Sequence, residues 1–254
     1  MSAMKVTIDT KKVEKALKLW GKLNKEEQVK QLRFSGRALA VRLTNATAPY
    51  GMNATARQKG EAAIAKDISL IVQPMNPFWM KEALKMKKAG DEAFKNRFTT
   101  NSGRAWLKPT DVPLNNSSIK QFHQKLRKKG SGRTAATEHG YMLQSQEKKY
   151  ILETQKKVGI AKAGWAQCAE ILGGFDGVKG VNKIQKWVTK LISKYGSGSV
   201  QEGDGYIKIR NSVPWIGRAL SRSGFQASLD IQRTALAKSV IKIVNFNSKK
   251  AGFA

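Results

Sequence analysis

Few residues in this chain could do chemistry, and those present are badly spaced for it. Only two histidines occur, His123 and His139, and the lone cysteine is Cys168. The pair Glu138-His139 brings one carboxylate beside one imidazole, too few ligands for a zinc or calcium site. A two-metal nuclease needs several carboxylates converging on one place, whereas acidic residues here are scarce and most stand among lysines, as at Glu26, Glu27, Glu82 and Glu147. Cys168 has no histidine partner in a recognisable motif and sits in an apolar stripe, which suggests a reduced, buried thiol. Neither Gly173-Gly174 nor Gly196-Ser-Gly198 opens a phosphate-cradling GxxxxGK[ST] or GxGxxG pattern. The expectation is no catalytic residue, no metal and no cofactor.

Charge is the outlier. Lys and Arg number 47 against 18 Asp and Glu, a formal net charge of +29 over 254 residues. Such a field attracts double-stranded DNA or another acidic surface by non-specific, salt-sensitive electrostatics. Its densest local expression is His123-Gln-Lys-Leu-Arg-Lys-Lys-Gly-Ser-Gly-Arg133, where Lys125, Arg127, Lys128, Lys129 and Arg133 stand beside flexible glycines. These five are the candidate contacts to phosphates or to an acidic protein face; a solvated run that aids solubility is the competing reading. No interleaved aromatics accompany them, which disfavours base stacking.

The elements that must carry these residues are mostly helical. Lys11 to Leu23 is amphipathic through Val13, Leu17 and Trp20. Asn24 followed by Glu27 has the spacing of a capping box, predicting a second helix to about Thr47. Further helices are expected over Ala54 to Ile71, Lys81 to Phe98, from about Gln146, over Asn182 to Tyr195, and at the C-terminus through Phe225, Leu229, Leu236, Val240 and Ile243. Short strands are expected at Met4 to Asp9 and around Tyr206 to Ile209, the Ala54 helix alternatively runs into a strand at Ser69 to Val72, and Gly196 to Gly205 reads as a surface loop. Lys157 to Gly174 places Val158, Ala161, Trp165, Cys168 and Leu172 on one stripe among small residues, bent at Gly159 and stopped by the glycine pair.

With no βαβ alternation evident, the fold class is α+β: a helix-rich single domain with a small antiparallel sheet and a long basic loop excursion. Its divisions are 1–98, an N-terminal helical part; 99–140, a flexible basic insertion; and 141–254, the C-terminal part of the same fold. Trp165, Trp187 and Trp215 serve equally as core residues or as subunit anchors. The polar start, Met1 to Lys12, shows no secretion signal, and no stretch approaches the roughly 18 apolar residues of a membrane helix.

Five segments together resemble a known group: Gln31 to Asn45, Lys59-Gly-Glu61 leading into Ala65-Lys-Asp-Ile68, Lys157 to Gly174, Trp187-Val-Thr189, and Asn211-Ser-Val-Pro214 with the long helix after it. They are similar to the neck proteins of tailed bacteriophages, the head–tail connector, tail-completion or minor tail proteins. The resemblance skips most of Thr99 to Thr137. It implies a non-enzymatic virion protein, folded in the host cytoplasm before assembly, that forms a homo-oligomeric ring around the DNA path. Portal and other neck or tail proteins would be its neighbours, with no membrane involved. An accessory nucleic-acid-binding protein is the alternative, and a basic nuclease a more distant one.

Overall fold

A computed structural model describes residues 10–51, 53–127, 134–176, 178, 184–203 and 205–251. The expected strand at Met4 to Asp9 lies outside them. The class is the expected one, α+β and rich in helix, with a small antiparallel sheet. The chain falls into two compact units: Met1–Met52, Ile160–Ile216 and Leu220–Ala254 form unit 1, and Asn53–Gly159 with Gly217–Ala219 form unit 2. These boundaries differ from the expected divisions at 98 and 140.

Unit 1 is organised on two long helices, α1 (Thr10–Ala46) and α10 (Arg222–Lys250), with α7 (Ile160–Ile171), α8 (Lys186–Tyr195) and a hairpin of β4 (Gly198–Gly203) and β5 (Tyr206–Asn211). α1 runs unbroken through Asn24, so the capping box is not used. Asn24 is buried; its Nδ2 donates to the Trp20 carbonyl (2.9 Å), and its Oδ1 accepts from Asn247 Nδ2 of α10 (3.1 Å). A side chain committed to a neighbouring helix cannot turn back to cap its own. Glu27 instead pairs with Lys30 at 2.8 Å. β4 occupies part of the expected surface loop.

α7 is the core of unit 1. The sequence shows one stripe, but Ile160 to Ala166, Cys168 and Ala169 are all buried, as befits a helix covered on every side. It packs against α1, α8 and both strands of the hairpin. Its glycine explains the fit: a Cβ on Gly164 would lie 2.5 Å from Asn211 Oδ1, and one on Gly198 would overlap the Gly164 carbonyl. Asn211 Nδ2 donates to the Ala161 carbonyl (2.7 Å), and Cys168 Sγ lies 3.4 Å from the Arg210 carbonyl. Gly173 and Gly174, with φ of 109° and 84°, end this segment as expected.

Unit 2 holds α2 (Ala54–Ser69), β1 (Val72–Met75), α3 (Pro77–Ala89), α4 (Asp91–Arg97), β2 (Val112–Pro113), α5 (Ser118–Leu126), β3 (Gly140–Leu143) and α6 (Gln144–Gln155). Short α9 (Ile216–Ala219) completes the chain's elements among the described residues. The three strands form a parallel sheet in the order β1-β3-β2, joined through helices, which corrects the expectation of no βαβ alternation. The strands are too short to show as apolar runs.

The helix expected over Lys81 to Phe98 is two, because Gly90 takes φ 104° between them and Asn76 caps α3, its Oδ1 accepting from Trp79 N at 2.8 Å. Similarly, Gly159 (φ 86°) separates α6 from α7 rather than bending one helix. The largest correction concerns 99–140, expected as a flexible excursion. Leu107, Leu114, Ile119, Phe122 and Leu126 are buried there, and Ile119, Leu114, Phe122 and Leu126 pack with Ile68, Ile71, Val72 and Met142. Ile119, Phe122 and Leu126 are spaced three and four apart, a helical stripe hidden between charged neighbours.

Candidate functional site

The expected basic cluster begins on α5, and only its first two members are described; Lys128, Lys129 and Arg133 lie outside the described residues. Lys125 is exposed in the last turn of α5, where its Nζ pairs with Glu138 Oε1 at 2.7 Å. Arg127 is half-buried, and its Nε has no hydrogen-bond partner among the described residues. The described residues flanking this cluster pair with each other: Ala135 N donates to the Leu126 carbonyl (2.8 Å), and Arg127 bridges Thr134.

What fixes this base is a polar cluster that the sequence did not announce. Asp67, on the last full turn of α2, accepts from Thr134 N at Oδ1 (2.9 Å) and from Thr134 Oγ1 at Oδ2 (2.6 Å). His123, expected on a mobile loop, is instead buried on α5 with Nε2 3.1 Å from Asp67 Oδ2 and Nδ1 3.0 Å from the Tyr150 hydroxyl of α6. Since the carboxylate only accepts, we assign the ring proton to Nε2, leaving Nδ1 to accept from Tyr150 O–H.

Burial holds the His123 pKa below its ordinary 6.5, with Arg127 acting the same way against the pull of Asp67. For Asp67, burial would raise the pKa, but hydrogen bonds from Thr134 and His123 bring it below 3.8. The result is a neutral imidazole and an ionised carboxylate, each with its partners. It ties α2, α5, α6 and residue 134 together at the root of the basic segment. Chemically it is a clasp, since the carboxylate stands between threonine and histidine and His123 does not reach the Thr134 hydroxyl as a base would.

The other histidine, His139, is exposed on a hollow of about 290 Å³ with Gln73, Trp106, Lys108 and Asp111 at the amino ends of the parallel strands. Asp111 Oδ2 accepts from Lys108 N at 2.8 Å, so that carboxylate serves its own loop. Among the described residues, no three of His, Cys, Asp and Glu gather where they could hold a metal ion.

The tryptophans separate into different environments. Trp165 is buried with Ala38, Ala40, Val41 and Leu43 of α1, and its Nε1 has no hydrogen bond among the described residues. Trp187 is half-buried against Ala163, Ala166, Val188 and Ile192. Trp215 is 36% exposed. Trp165 is thus a core anchor, and of the three Trp215 is the most exposed.

Unit 1 also buries a lysine that the sequence reading passed over. Lys162, on α7, is fully buried and donates Nζ to the Thr44 carbonyl, in the last turn of α1. Beside it Thr47 Oγ1 donates to the Leu43 carbonyl at 2.7 Å. Two of the carbonyls left over at a helix end are therefore satisfied from side chains. Burial lowers the Lys162 pKa to about 7. The signal in the sequence was a lone Lys between Ala161 and Ala163 in an otherwise apolar helix.

The surface of the long helix pair is unusual in composition. The fully buried positions of α10 are Ser228, Gln232 and Asn247, while Leu229, Leu236, Val240 and Ile243 are only half-buried. Ile231, Ile241 and Phe246 are 47%, 61% and 66% exposed, and Val29 and Phe34 of α1 are also exposed. Asn24, Asn247 and the Trp20–Ser248 hydrogen bond (3.2 Å) place polar contacts in the seam between the helices.

No known family model, curated protein or solved structure matches this chain.

Proposed function

We propose that this chain is a structural virion protein of a tailed bacteriophage, a ring-forming subunit at the head–tail junction that surrounds the DNA path. The observation that carries the reading is the long helix pair of unit 1, which buries the Asn24–Asn247 pair while Ile231, Ile241 and Phe246 of α10 and Val29 and Phe34 of α1 stand exposed. A helix with that distribution has its apolar complement outside its own chain, as assembled subunits do. The net charge of +29 supports the second half of the reading, because a ring on a DNA channel has its repulsion relieved by phosphate. The resemblance of the five sequence segments to neck proteins supplies the location. Within the particle the partners are further copies of the chain, portal and tail proteins, and duplex DNA without sequence preference.

The test is native mass of the purified chain, alone and with duplex DNA, together with a search for it in purified particles. A closed oligomer of defined mass that co-purifies with virions is expected. A chain that stays monomeric at every concentration and is absent from particles overturns the reading. The same charge favours a second reading, a monomeric accessory nucleic-acid binder; it predicts DNA affinity that falls steeply with salt and no assembly.

A further inference from the structure

Among the described helices, charge is most one-sided on α8. Its apolar half, Val188 and Ile192 with Trp187 and Leu191 beside them, is turned onto Ala163 and Ala166 of α7. The exposed positions of α8 are Lys186, Thr189, Lys190, Ser193 and Lys194. The lysines stand four residues apart, about 6 Å along the helix, with only hydroxyl side chains between them. Acids are rare in this chain, 18 against 47 Lys and Arg, yet every other described helix of eight or more residues except α5 contains one. On α5, Lys125 is paired with Glu138 at 2.7 Å, whereas none of the α8 lysines has an ion-pair partner among the described residues. Lys194 rests over the Tyr195 ring, 5.3 Å from its centroid, which leaves its charge uncompensated.

The hairpin that follows continues the pattern. Gly196 and Ser197 join it to α8, and both elements pack on α7. Along β5, Ile207 and Ile209 turn inward while Tyr206, Lys208 and Arg210 are exposed, the alternation of a half-covered strand. Ser199 and Gln201 stand opposite Arg210 and Lys208 in register and are also exposed. Glu202 of β4 is drawn to Arg33 of α1 at 3.3 Å. Lys208 and Arg210 are two residues apart, about 7 Å along the strand.

Composition says what this surface takes. The centre of a protein interface is apolar and aromatic, and lysine is depleted there. The exposed face of α8 has three lysines and no apolar side chain. Single strands bind on rows of exposed aromatic rings; here Tyr206 stands alone, with Trp187 and Tyr195 half-buried. Duplex DNA asks only for cations within reach of its backbone. It carries about one phosphate per 1.7 Å of axis, so charges about 6–7 Å apart each find one.

We infer that the exposed face of α8, with Lys208 and Arg210 of the hairpin, is the surface of unit 1 that seats duplex DNA through its phosphates. The inference rests on the DNA contact in the reading above and names residues that make it.

A variant with Lys186→Gln, Lys190→Gln and Lys194→Gln tests it, since glutamine keeps the helix preference of lysine without its charge. A matched variant, Lys81→Gln, Lys85→Gln and Lys88→Gln, removes the same charge from exposed positions of α3. Folding of both is checked by circular dichroism, and affinity for a duplex is measured across a salt series. The α8 variant should bind about a hundredfold more weakly at about 0.1 M salt, its slope of log K against log salt shallower by about 0.9 for each lysine lost. Adding Lys208→Gln and Arg210→Gln should lower both further, and the α3 variant should keep the wild-type slope. An α8 variant with the wild-type slope overturns the inference, and so do equal losses in the α8 and α3 variants, which would assign binding to the field of the whole chain; in both cases the DNA contact itself stands. Polyglutamate that competes as well as duplex DNA would show a general site for acidic polymers and overturn it too. A wild-type chain with no affinity for duplex at low salt removes the DNA contact and this inference together.

Discussion

Lys162 in unit 1 and His123 in unit 2 are both buried ionisable groups, and the chain accommodates them in opposite ways. His123 enters a cluster in which each member has a partner of matching kind: Asp67 for its Nε2, Tyr150 for its Nδ1, and Thr134 for the other lone pairs of the carboxylate. Lys162 has the Thr44 carbonyl and, among the described residues, no paired carboxylate, and burial lowers its pKa to about 7. The difference teaches what each is for. A shared carboxylate locks several elements at once and fixes the root of a segment. A lone amine on a carbonyl ends one helix, and its charge complements the helix C-terminus only while protonated.

Removing the hub of the first arrangement should have the largest effect. Asp67→Ala strands His123 and two Thr134 donors, and a loss of about 2–3 kcal/mol is expected for leaving buried donors without an acceptor. It is read from the urea midpoint, and a loss under about 1 kcal/mol would show the clasp to be dispensable. Acid should do the same in part. The folded His123 pKa lies below 6.5, so on acidification the unfolded chain takes up the proton first, and stability declines as pH falls from 6.5 through the folded value. Asp67 adds stability that is present above 3.8 and lost as pH falls through its lower folded value.

Lys162→Met sharpens the contrast with a smaller change of opposite sign. Between pH about 7 and 10.5 the unfolded lysine is protonated and the folded one is neutral, so this group makes stability rise with pH across that window. The methionine variant should lack that slope, and at pH 7 it should be more stable by about 2 kcal/mol. Parallel wild-type and variant melts at pH 7 and 9.5 decide it; an advantage that grows with pH would refute the assignment. Smallest of all is Lys125→Ser, since its partner Glu138 is also at the surface. Less than about 1 kcal/mol should be lost, while DNA affinity at low salt should fall; unchanged affinity would leave Lys125 to solubility.

The same contrast shows what could be read from sequence. The long C-terminal helix, the packed segment at Lys157 to Gly174 and a buried Cys168 were legible because each depends on local period or on small residues in a row. Asn24 was misread since a cap and an inter-helix amide look alike until Asn247, 223 positions away, is placed beside it. His123 was hidden by its neighbours: Gln124, Lys125, Arg127 and the lysines after them gave the segment the composition of a loop, while Ile119, Phe122 and Leu126 carried a stripe. The Asp67 clasp joins residues 56 and 67 positions apart, and no local pattern encodes it.

The way the chain threads its two units has a bearing on synthesis. Unit 2 is nearly continuous, Asn53–Gly159, and its parts leave the ribosome in succession. Unit 1 begins with α1 and is finished by α10, which starts at Arg222. At elongation rates of about 5–20 residues per second the interval between the two amounts to roughly ten to forty seconds. Until then α1 lacks α10 alongside, and for most of the interval it lacks α7 as well, so its basic, partly apolar surface is open to nucleic acid and chaperones. Translation speed through the middle of the message therefore governs how long the first helix waits, and synonymous codon choice there becomes a determinant of soluble yield.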